Sequence, residues 1–438
     1  MQKPKKLKIS DLPLAELYDK PKITPSVEKA IRAKEDFSEV SALYCTKVCK
    51  LKCKKFESVS LINTPVDVLI IQDHQTPDGK FDRKEGKQDQ IVRNLLNSMC
   101  LSAGFQGLTY RITNLLKCPS NPTDFPKGKS PTTSTMAKCA PYLLQEINQC
   151  TPKVIISLGT PTTKALGFKK RSNAGDRGII DRLEGIPVVI TQHPRILTMI
   201  RQTAVGSSGF WGSDYYEVIR KDFIKAKEIA LGKLNPPPLL DAIQSLKDSG
   251  RLRVARSMSD VDSILTEINT LPPNALISFD TETTGLNPRS EDARLLMIQF
   301  GWRNQVTKEI VAGTIPLWHR KNKAYDPDEA WAKVVPLLEG PRGKIAFNAK
   351  FDILYIYHTT GVRVKNLKLD VMLALHSIDS GIQGCYGLKV AVSDYMPESG
   401  LAGYEDLLPG LSKKNDEPVI EITTETNPET NLEEPINA

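Results

Sequence analysis

Three carboxylates in the second half of the sequence have the types and spacing of a divalent-metal site. Asp280 and Glu282 follow an apolar run in LISFDTETTGLNP, and residues two apart on a strand project from the same face. Asn348 and Asp352, in GKIAFNAKFDILYIYHTTG, are four apart where a strand gives way to a helix, so both can face one site. Carboxylates on one face repel one another unless a cation lies between them. The pattern therefore predicts a bound divalent metal ion of the kind that prefers oxygen ligands; solvated surface acids are the alternative for an isolated D-x-E.

Cysteines form a second constellation with possible chemistry. Seven of the eight lie in the first 150 residues, at positions 45, 49, 53, 100, 118, 139 and 150. In a cytosolic protein such clustering favours metal or cluster ligation over disulfides. Four thiolates in two separated groups suit a [4Fe–4S] cluster or a structural Zn²⁺, and a set without nearby His favours the cluster. Cys100 and Cys150 are expected to be buried free thiols.

The elements that must position these residues alternate between strand and helix. Between about residues 40 and 230, strands are predicted for VDVLIIQ, LTYRITNLL, KVIISLG and IPVVITQHP, and helices for QIVRNLLNSM and YYEVIRKDFIKAKEIAL. This alternation predicts an α/β sandwich with a parallel sheet, whose ligands gather at the carboxyl ends of the strands. A second α/β unit follows, in which LISFD and RLLMIQFGW are expected to be neighbouring strands.

The composition predicts two domains, with the following boundaries: a basic Lys- and Pro-rich lead (1–35), a first domain (36–232), a linker containing NPPP (233–251), a second domain (252–410) and an acidic disordered tail (411–438). The formal net charge is +8. Without the seven acids after Lys414 the rest of the chain carries about +15, which favours a polyanion such as nucleic acid as partner. No apolar run is long enough to span a membrane, and MQKPKKLKIS is unlike a signal peptide. We therefore expect a cytoplasmic protein, in the host cytoplasm if it is viral.

Three motifs in the second domain follow one another in an informative order. DTETTGL, FNAKFD and LDVMLALHSIDSGIQGCYGLKVAVSDYM resemble the proofreading 3′–5′ exonuclease domain of family A DNA polymerases over about residues 252–405. The resemblance implies an RNase H-like fold with a mixed sheet. It also implies two Mg²⁺ or Mn²⁺ ions held by Asp280, Glu282 and Asp352, with Asn348 as the partner residue of the second motif. Asp370 falls at a recurring acidic position that is not a metal ligand.

The sequence departs from that family at the end of the second domain. The family completes its site with a Tyr or His followed by a fourth Asp, but Tyr395 is followed four residues later by Ser399, and Tyr404 by Leu408. Three explanations stay open. The chain is the N-terminal part of a split or interrupted phage-type polymerase, or a partner chain supplies the missing ligand, or the domain binds DNA without cutting it.

The first domain carries a different resemblance. TNLLKCPSNP, CAPYLLQEINQCTPKVIISLGTPTTKALG and VVITQHPRIL resemble the iron–sulfur uracil-DNA glycosylases over about residues 40–230, which implies a three-layer α/β/α fold. The resemblance implies a cluster held by four cysteines: Cys45, Cys49, Cys118 and Cys139, with Cys53 as the alternative to one of the first two.

The same resemblance implies a base-reading site. Asn114 matches the residue that pairs with a flipped-out uracil, His193 the residue that steadies the departing base, and Phe81 supplies an aromatic platform. The family's G-E-A-P-G loop is replaced by QDHQT, in which Asp73 keeps a carboxylate in the water-activating place.

Together these features predict a DNA-processing enzyme that joins a glycosylase-like domain to a metal-dependent proofreading exonuclease. The alternatives are an active uracil-type glycosylase with a passive exonuclease-like domain, and a non-catalytic DNA-binding or assembly subunit of a split polymerase. The expected partners are single-stranded 3′ ends, uracil-containing or base-modified duplex DNA, and a polymerase fragment or subunit.

Overall fold

The structure is a computed structural model. It describes residues 64–73, 85–116, 143, 146–168, 176–197, 211–319, 324–378 and 386–403. The chain divides into two compact units. The first unit comprises Met1–Pro238 and Gly381–Gly403, and the second comprises Leu239–Ser380 and Tyr404–Ala438. In the described part of the chain, no helix is both long enough and apolar enough to cross a membrane.

The described elements of the first unit alternate between strand and helix, as the sequence predicts. They are β1 (Val68–Gln72), α1 (Glu85–Ser102), β2 (Tyr110–Asn114), β3 (Val154–Leu158), α2 (Gly159–Ala165), β4 (Ile180–Leu183), β5 (Ile186–Thr191) and α3 (Trp211–Ala230), followed near the end of the chain by α9 (Leu388–Tyr395) and a short 3₁₀ turn (Pro397–Ser399).

The first sheet has the strand order β2-β1-β3-β5-β4 and is parallel except at its edge, where β4 runs antiparallel to β5. Side chains alternate between its two faces. On β1, Val68 and Ile70 pack with residues of α1 and α3, whereas Leu69 and Ile71 pack with residues of α2 on the other side. The unit is therefore a three-layer α/β/α sandwich, and the carboxyl ends of β1, β2, β3 and β5 share one edge.

The second unit contains a mixed sheet and five described helices. Its elements are α4 (Leu239–Asp248), β6 (Leu252–Val254), α5 (Met258–Asn269), β7 (Ile277–Thr283), β8 (Leu295–Arg303), β9 (Ile310–Pro316), α6 (Pro327–Glu339), β10 (Lys344–Ala346), α7 (Ala349–Thr360), β11 (Leu367–Asp370) and α8 (Val371–Ile378).

The second sheet has the order β11-β10-β7-β8-β9-β6. The β7–β8 and β8–β9 pairs are antiparallel and the others are parallel. Residues of α5, α6 and α7 bury one continuous core against the strands, centred on Phe279, Phe300 and Trp302. Both units are thus α/β domains, and β7 lies in the interior of its sheet, where its conformation is held from both sides.

Two features of the chain path differ from the predicted boundaries. The predicted linker 233–251 contains the ten-residue helix α4, because LLDAIQSLKD is amphipathic and follows the prolines directly. The described residues 386–403, predicted to end the second domain, make their contacts within the first unit. No local sequence pattern predicts this second difference, since it depends on tertiary ion pairs.

Candidate functional site

The strand β7 presents Asp280 and Glu282 on one face, as their spacing predicts. Phe279 and Thr281 between and beside them are buried, whereas the two acids are reachable from solvent. The ladder with β8, in which Asp280 lies opposite Gln299, continues past both acids. Both carboxylates therefore lie on a paired strand rather than on a loop, and the pairing register shifts directly after Glu282.

The third carboxylate, Asp352, lies in the first turn of α7 and is only 2% exposed. Its Oδ1 accepts hydrogen bonds from the backbone N–H of Thr281 at 3.0 Å and from Thr281 Oγ1 at 2.6 Å. The strand β10 pairs with β7 only at Ile277 and Ser278, so Asp352 binds the edge of β7 beyond that pairing. The helix thereby holds this carboxylate next to the two on the strand.

The charges of the three acids interact. Burial by the surrounding protein raises the pKa of Asp280 to about 7, and the negative charges of Asp352 and Glu282 add to this effect. Burial and the Asp352 charge also raise the pKa of Glu282. For Asp352, burial raises the pKa most strongly, while the hydrogen bonds from Thr281 act in the opposite direction. A site of this kind favours either protons or a bound cation.

The donor set suits a hard divalent cation, because all three groups are carboxylates. Among the described residues, however, no three His, Cys, Asp or Glu side chains stand in an arrangement that could hold a metal ion as it is. One oxygen of Asp352 is engaged by Thr281. The three acids are therefore gathered and mutually destabilised rather than preset in a closed coordination sphere.

Asn348 and Asp370 meet at the start of α7. Asn348 is the N-cap of this helix, with φ 58° and ψ 45° and no side-chain cap bond. Its backbone N–H donates to Asp370 Oδ1 at 3.0 Å, and that of Ala349 donates to Asp370 Oδ2 at 2.8 Å. Asp370 Oδ1 also accepts from the N–H of Met372 at the start of α8, at 3.0 Å. Asp370 therefore fixes the turn of the helix that carries Asp352, a role that the sequence did not reveal.

Tyr395 and Tyr404 are the tyrosines near the position of the family's last motif. Tyr395 ends α9, which belongs to the first unit by its contacts, and Ser399 lies in the 3₁₀ turn that follows it. Tyr404 lies outside the described residues.

In the first unit, the predicted base-reading residues gather at the carboxyl ends of the strands. Asp73 directly follows β1, Asn114 ends β2, and His193 comes two residues after β5. Asp73 is only 6% exposed, and its Oδ1 lies 3.6 Å from His193 Nε2. The structure thus brings Asp73 and His193 together from strands that are far apart in sequence.

Two neighbours of these residues had no role predicted from the sequence. Gln72 Nε2 donates to Asn114 Oδ1 at 2.6 Å, because the two residues are partners across the β1–β2 pair. Arg195 Nη1 lies 3.5 Å from Asp73 Oδ2, and the backbone N–H of Arg195 donates to His193 Nδ1 at 3.0 Å. Arg195 stands two residues after His193, and this closeness in sequence was the only available signal.

Other predicted site residues lie outside the described residues: Phe81, Cys45, Cys49, Cys53, Cys118 and Cys139. The cluster, or the alternative Zn²⁺, therefore stays a prediction. Cys100 and Cys150 are both buried, as predicted, and burial raises the pKa of the Cys100 thiol to about 12.

Family models match each of the two units. The model described as the uracil DNA glycosylase superfamily matches residues 81–210, and the model described as 3′-5′ exonuclease matches residues 253–397. The chain carries a glycosylase-superfamily domain and a 3′-5′ exonuclease domain. The first match contains Asn114 and His193 but begins after Asp73, and the second contains Asp280, Glu282 and Asp352.

The individual relatives share only low sequence identity with this chain. The glycosylase-superfamily domain is similar to a type-4 uracil-DNA glycosylase of Sulfurisphaera tokodaii, with 25% identity over 120 residues, which are 27% of this chain and 50% of the relative. The chain thus spans half the length of that curated relative. Among solved structures, similarity is found to Brucella melitensis NrnC with bound Mg²⁺ (19% identity, 34% of this chain, 61% of that chain, TM-score 0.23) and to Escherichia coli RNase D (16% identity, 33% of each chain, TM-score 0.24).

Proposed function

We propose that the exonuclease domain removes nucleotides from the 3′ ends of DNA with the help of Mg²⁺ or Mn²⁺ held by Asp280, Glu282 and Asp352. The observation that carries this proposal is that Asp280 and Glu282 share one face of β7, while Asp352 is hydrogen-bonded to Thr281, the residue between them. Three acids that repel one another in a solvent-reachable place lower the stability of the fold unless they bind a cation. The match to the exonuclease model supports the same proposal.

Each residue has a separate part in this mechanism. Asp280, Glu282 and Asp352 would hold the metal ions, which would supply a water of lowered pKa as nucleophile and stabilise negative charge on the leaving 3′ oxygen. Asp280 and Glu282 face solvent on a rigid strand, so they bind where a DNA end can reach them. Asp352 is buried and held by Thr281, so it provides a fixed negative charge beneath them. Asp370 and the Asn348 turn set the position of the helix that carries Asp352.

We further propose that the domain is the proofreading part of a family A DNA polymerase, of the phage type. Because no Y-x-x-x-D follows Asp370 in this sequence, we infer that a polymerase segment, either downstream or on a partner subunit, supplies the Tyr and the fourth Asp. The basic net charge of the chain suits a single-stranded DNA end as substrate.

The test is degradation of a 5′-labelled single strand in Mg²⁺, with and without a co-expressed polymerase fragment. Asp280→Asn is expected to lower the rate by at least about 100-fold, since a metal ligand is lost. Glu329→Gln is the matched control, because this acid is exposed on α6 and pairs only loosely with Lys333, at 3.9 Å. Equal degradation by wild type and Asp280→Asn would refute the assignment. Activity that appears only with the polymerase fragment would support a completed site.

We propose secondly that the glycosylase-superfamily domain binds an unpaired nucleotide of DNA at Asn114 and His193. The observation that favours this is the assembly of Asp73 and His193 at 3.6 Å on the ligand-binding edge of the sheet. Binding of a labelled single strand that contains one uracil should weaken in Asn114→Ala. It should not weaken in Asn235→Ala, an exposed asparagine of the same unit. Equal affinity for a strand with a stable abasic analogue in place of uracil would show that no base is read.

A further inference from the structure

The carboxylate at the base site of the glycosylase-superfamily domain is held by a cation. Arg195 Nη1 lies 3.5 Å from Asp73 Oδ2, and the Asp73 side chain is only 9% exposed. The Arg195 side chain is 29% exposed, so water screens the pair only in part, and the guanidinium neutralises part of the carboxylate's charge. Arg195 comes from the segment after β5 and Asp73 from the segment after β1, so the fold itself creates this pair.

Neutralising Asp73 opposes base excision in two ways. When a glycosidic bond breaks, positive charge develops on the sugar, and a nearby carboxylate stabilises it. The carboxylate must also accept a proton from the attacking water. A guanidinium beside the carboxylate weakens both effects, because it repels the developing positive charge and makes the carboxylate a poorer base.

The segment after β5, which carries His193 and Arg195, leaves the site able to bind a base. The backbone N–H of Arg195 donates to His193 Nδ1 at 3.0 Å, so Nδ1 is the acceptor and the proton of the neutral imidazole lies on Nε2. Gln72 Nε2 donates to Asn114 Oδ1, so the amide nitrogen of Asn114 points away from Gln72. His193 Nε2 and Asn114 Nδ2 are both hydrogen-bond donors. Donors of this kind match a pyrimidine that carries keto oxygens, such as uracil or thymine.

We propose that Arg195 makes this site one that binds a keto pyrimidine of single-stranded or flipped-out DNA without cleaving its glycosidic bond. Asp73 then serves as the counter-ion of Arg195, and Gln72 orients the amide of Asn114. This inference rests on the base-binding role proposed above. It makes the glycosylase-superfamily domain a reader of template bases rather than a repair enzyme.

Removing the Arg195 guanidinium should allow Asp73 to support cleavage of the glycosidic bond. In Arg195→Ala, a water oxygen bonds to C1′ while the C1′–N1 bond breaks, and Asp73 accepts the water's proton. The uracil leaves with the bonding electrons and then takes up a proton. Since general base catalysis contributes about 10²-fold or more, we expect Arg195→Ala to excise uracil at least about tenfold faster than wild type.

The assay uses the full chain and a single strand with one uracil, in EDTA so that metal-dependent degradation is absent, and scores alkali-labile sites. Wild type and Arg195→Lys, which keeps the charge, are expected to bind the strand and leave it intact. The double variant Asp73→Asn/Arg195→Ala should lose the gained excision. Arg195→Gln replaces Arg195→Ala if the latter does not fold, as judged by circular dichroism.

The outcomes test two claims separately: that Arg195 prevents excision, and that the site binds a base. Excision of uracil by wild type, or no gain in either Arg195 variant that still binds the strand, would overturn the role of Arg195. Wild-type binding that is unchanged when the uracil is replaced by a stable abasic analogue would instead overturn the base-binding role itself. Exonuclease activity, measured separately in Mg²⁺, depends on neither result.

Discussion

At the scale of single residues, the exonuclease site is a concentration of charge that the fold alone does not stabilise. Asp280 is reachable from solvent, yet the protein around it and the charges of Asp352 and Glu282 raise its pKa from 3.8 to about 7. The folded state therefore binds a proton between about pH 4 and 7 that the unfolded state has lost. By linkage, metal-free stability falls as the pH rises through this window.

Asp280→Asn should accordingly stabilise the metal-free exonuclease domain at pH 8 while it abolishes nuclease activity. We expect the free energy of unfolding to rise by about 1–2 kcal/mol after allowance for solvent screening. Between pH 4 and 7 the stability of the variant should fall less than that of wild type. Thermal melts of the two proteins in EDTA measure this. Adding Mg²⁺ at pH 8 should raise the melting temperature of wild type only, since bound metal replaces the proton. A less stable Asp280→Asn in EDTA would contradict the argument.

The residues of both sites differ in how far the sequence predicts them. Asp280 and Glu282 follow from strand alternation, because neighbouring positions 279 and 281 are apolar or buried. The contacts of Arg195 with Asp73 and of Asp370 with the α7 turn could not be predicted. Each depends on which loops meet across a sheet, and no local pattern encodes that.

At the scale of elements, the exonuclease site depends on how α7 begins. The helix starts from a left-handed Asn348, and its first N–H groups are bound by the Asp370 side chain instead of by a cap residue of their own. One carboxylate thereby joins β11, α7 and α8. The change from strand β10 to helix α7 was predicted from the sequence, whereas α4 was missed because the adjacent prolines marked the segment as a linker.

Asp370→Asn tests this junction. An asparagine side chain has one acceptor oxygen, so its NH₂ group must face at least one of the N–H groups that Asp370 now binds. We expect a loss of about 1–2 kcal/mol in the stability of the exonuclease domain, with a lower rate of DNA degradation, because the position of Asp352 is loosened. Urea unfolding and single-turnover degradation measure the two effects.

Asp326→Asn is the control for that experiment. Asp326 caps α6 through a single bond from the N–H of Asp328, at 2.9 Å, and asparagine caps a helix about as well as aspartate. Equal stability of the two variants would mean that Asp370 is not a shared anchor for two helices.

At the scale of the whole molecule, the first unit contains residues from far along the chain, within the stretch that the exonuclease model matches. Asp394 of α9 pairs with Arg177 and, at 2.7 Å, with Lys225, while Asp222 pairs with Arg177 at 3.0 Å. Arg177 and Asp222 are almost fully buried. Two cations and two carboxylates balance in this cluster, and Asp222 also accepts from Thr191, the last residue of β5, at 2.6 Å.

Asp394→Ala should therefore destabilise the first unit and leave the second unchanged. Removing one partner leaves an excess buried positive charge, which costs about 3–5 kcal/mol. Hydrogen–deuterium exchange measures each unit separately, and β3 and β5 should lose protection while β7 and β8 keep theirs.

Asp262→Asn is the control. Asp262 forms an exposed pair with Lys333, so its substitution should change the exchange protection of neither unit, since exposed pairs contribute at most about 1 kcal/mol. If β5 stays fully protected in Asp394→Ala, residues 381–403 are not part of the first folding unit. A chain cut at residue 380 would then keep a stable glycosylase-superfamily domain.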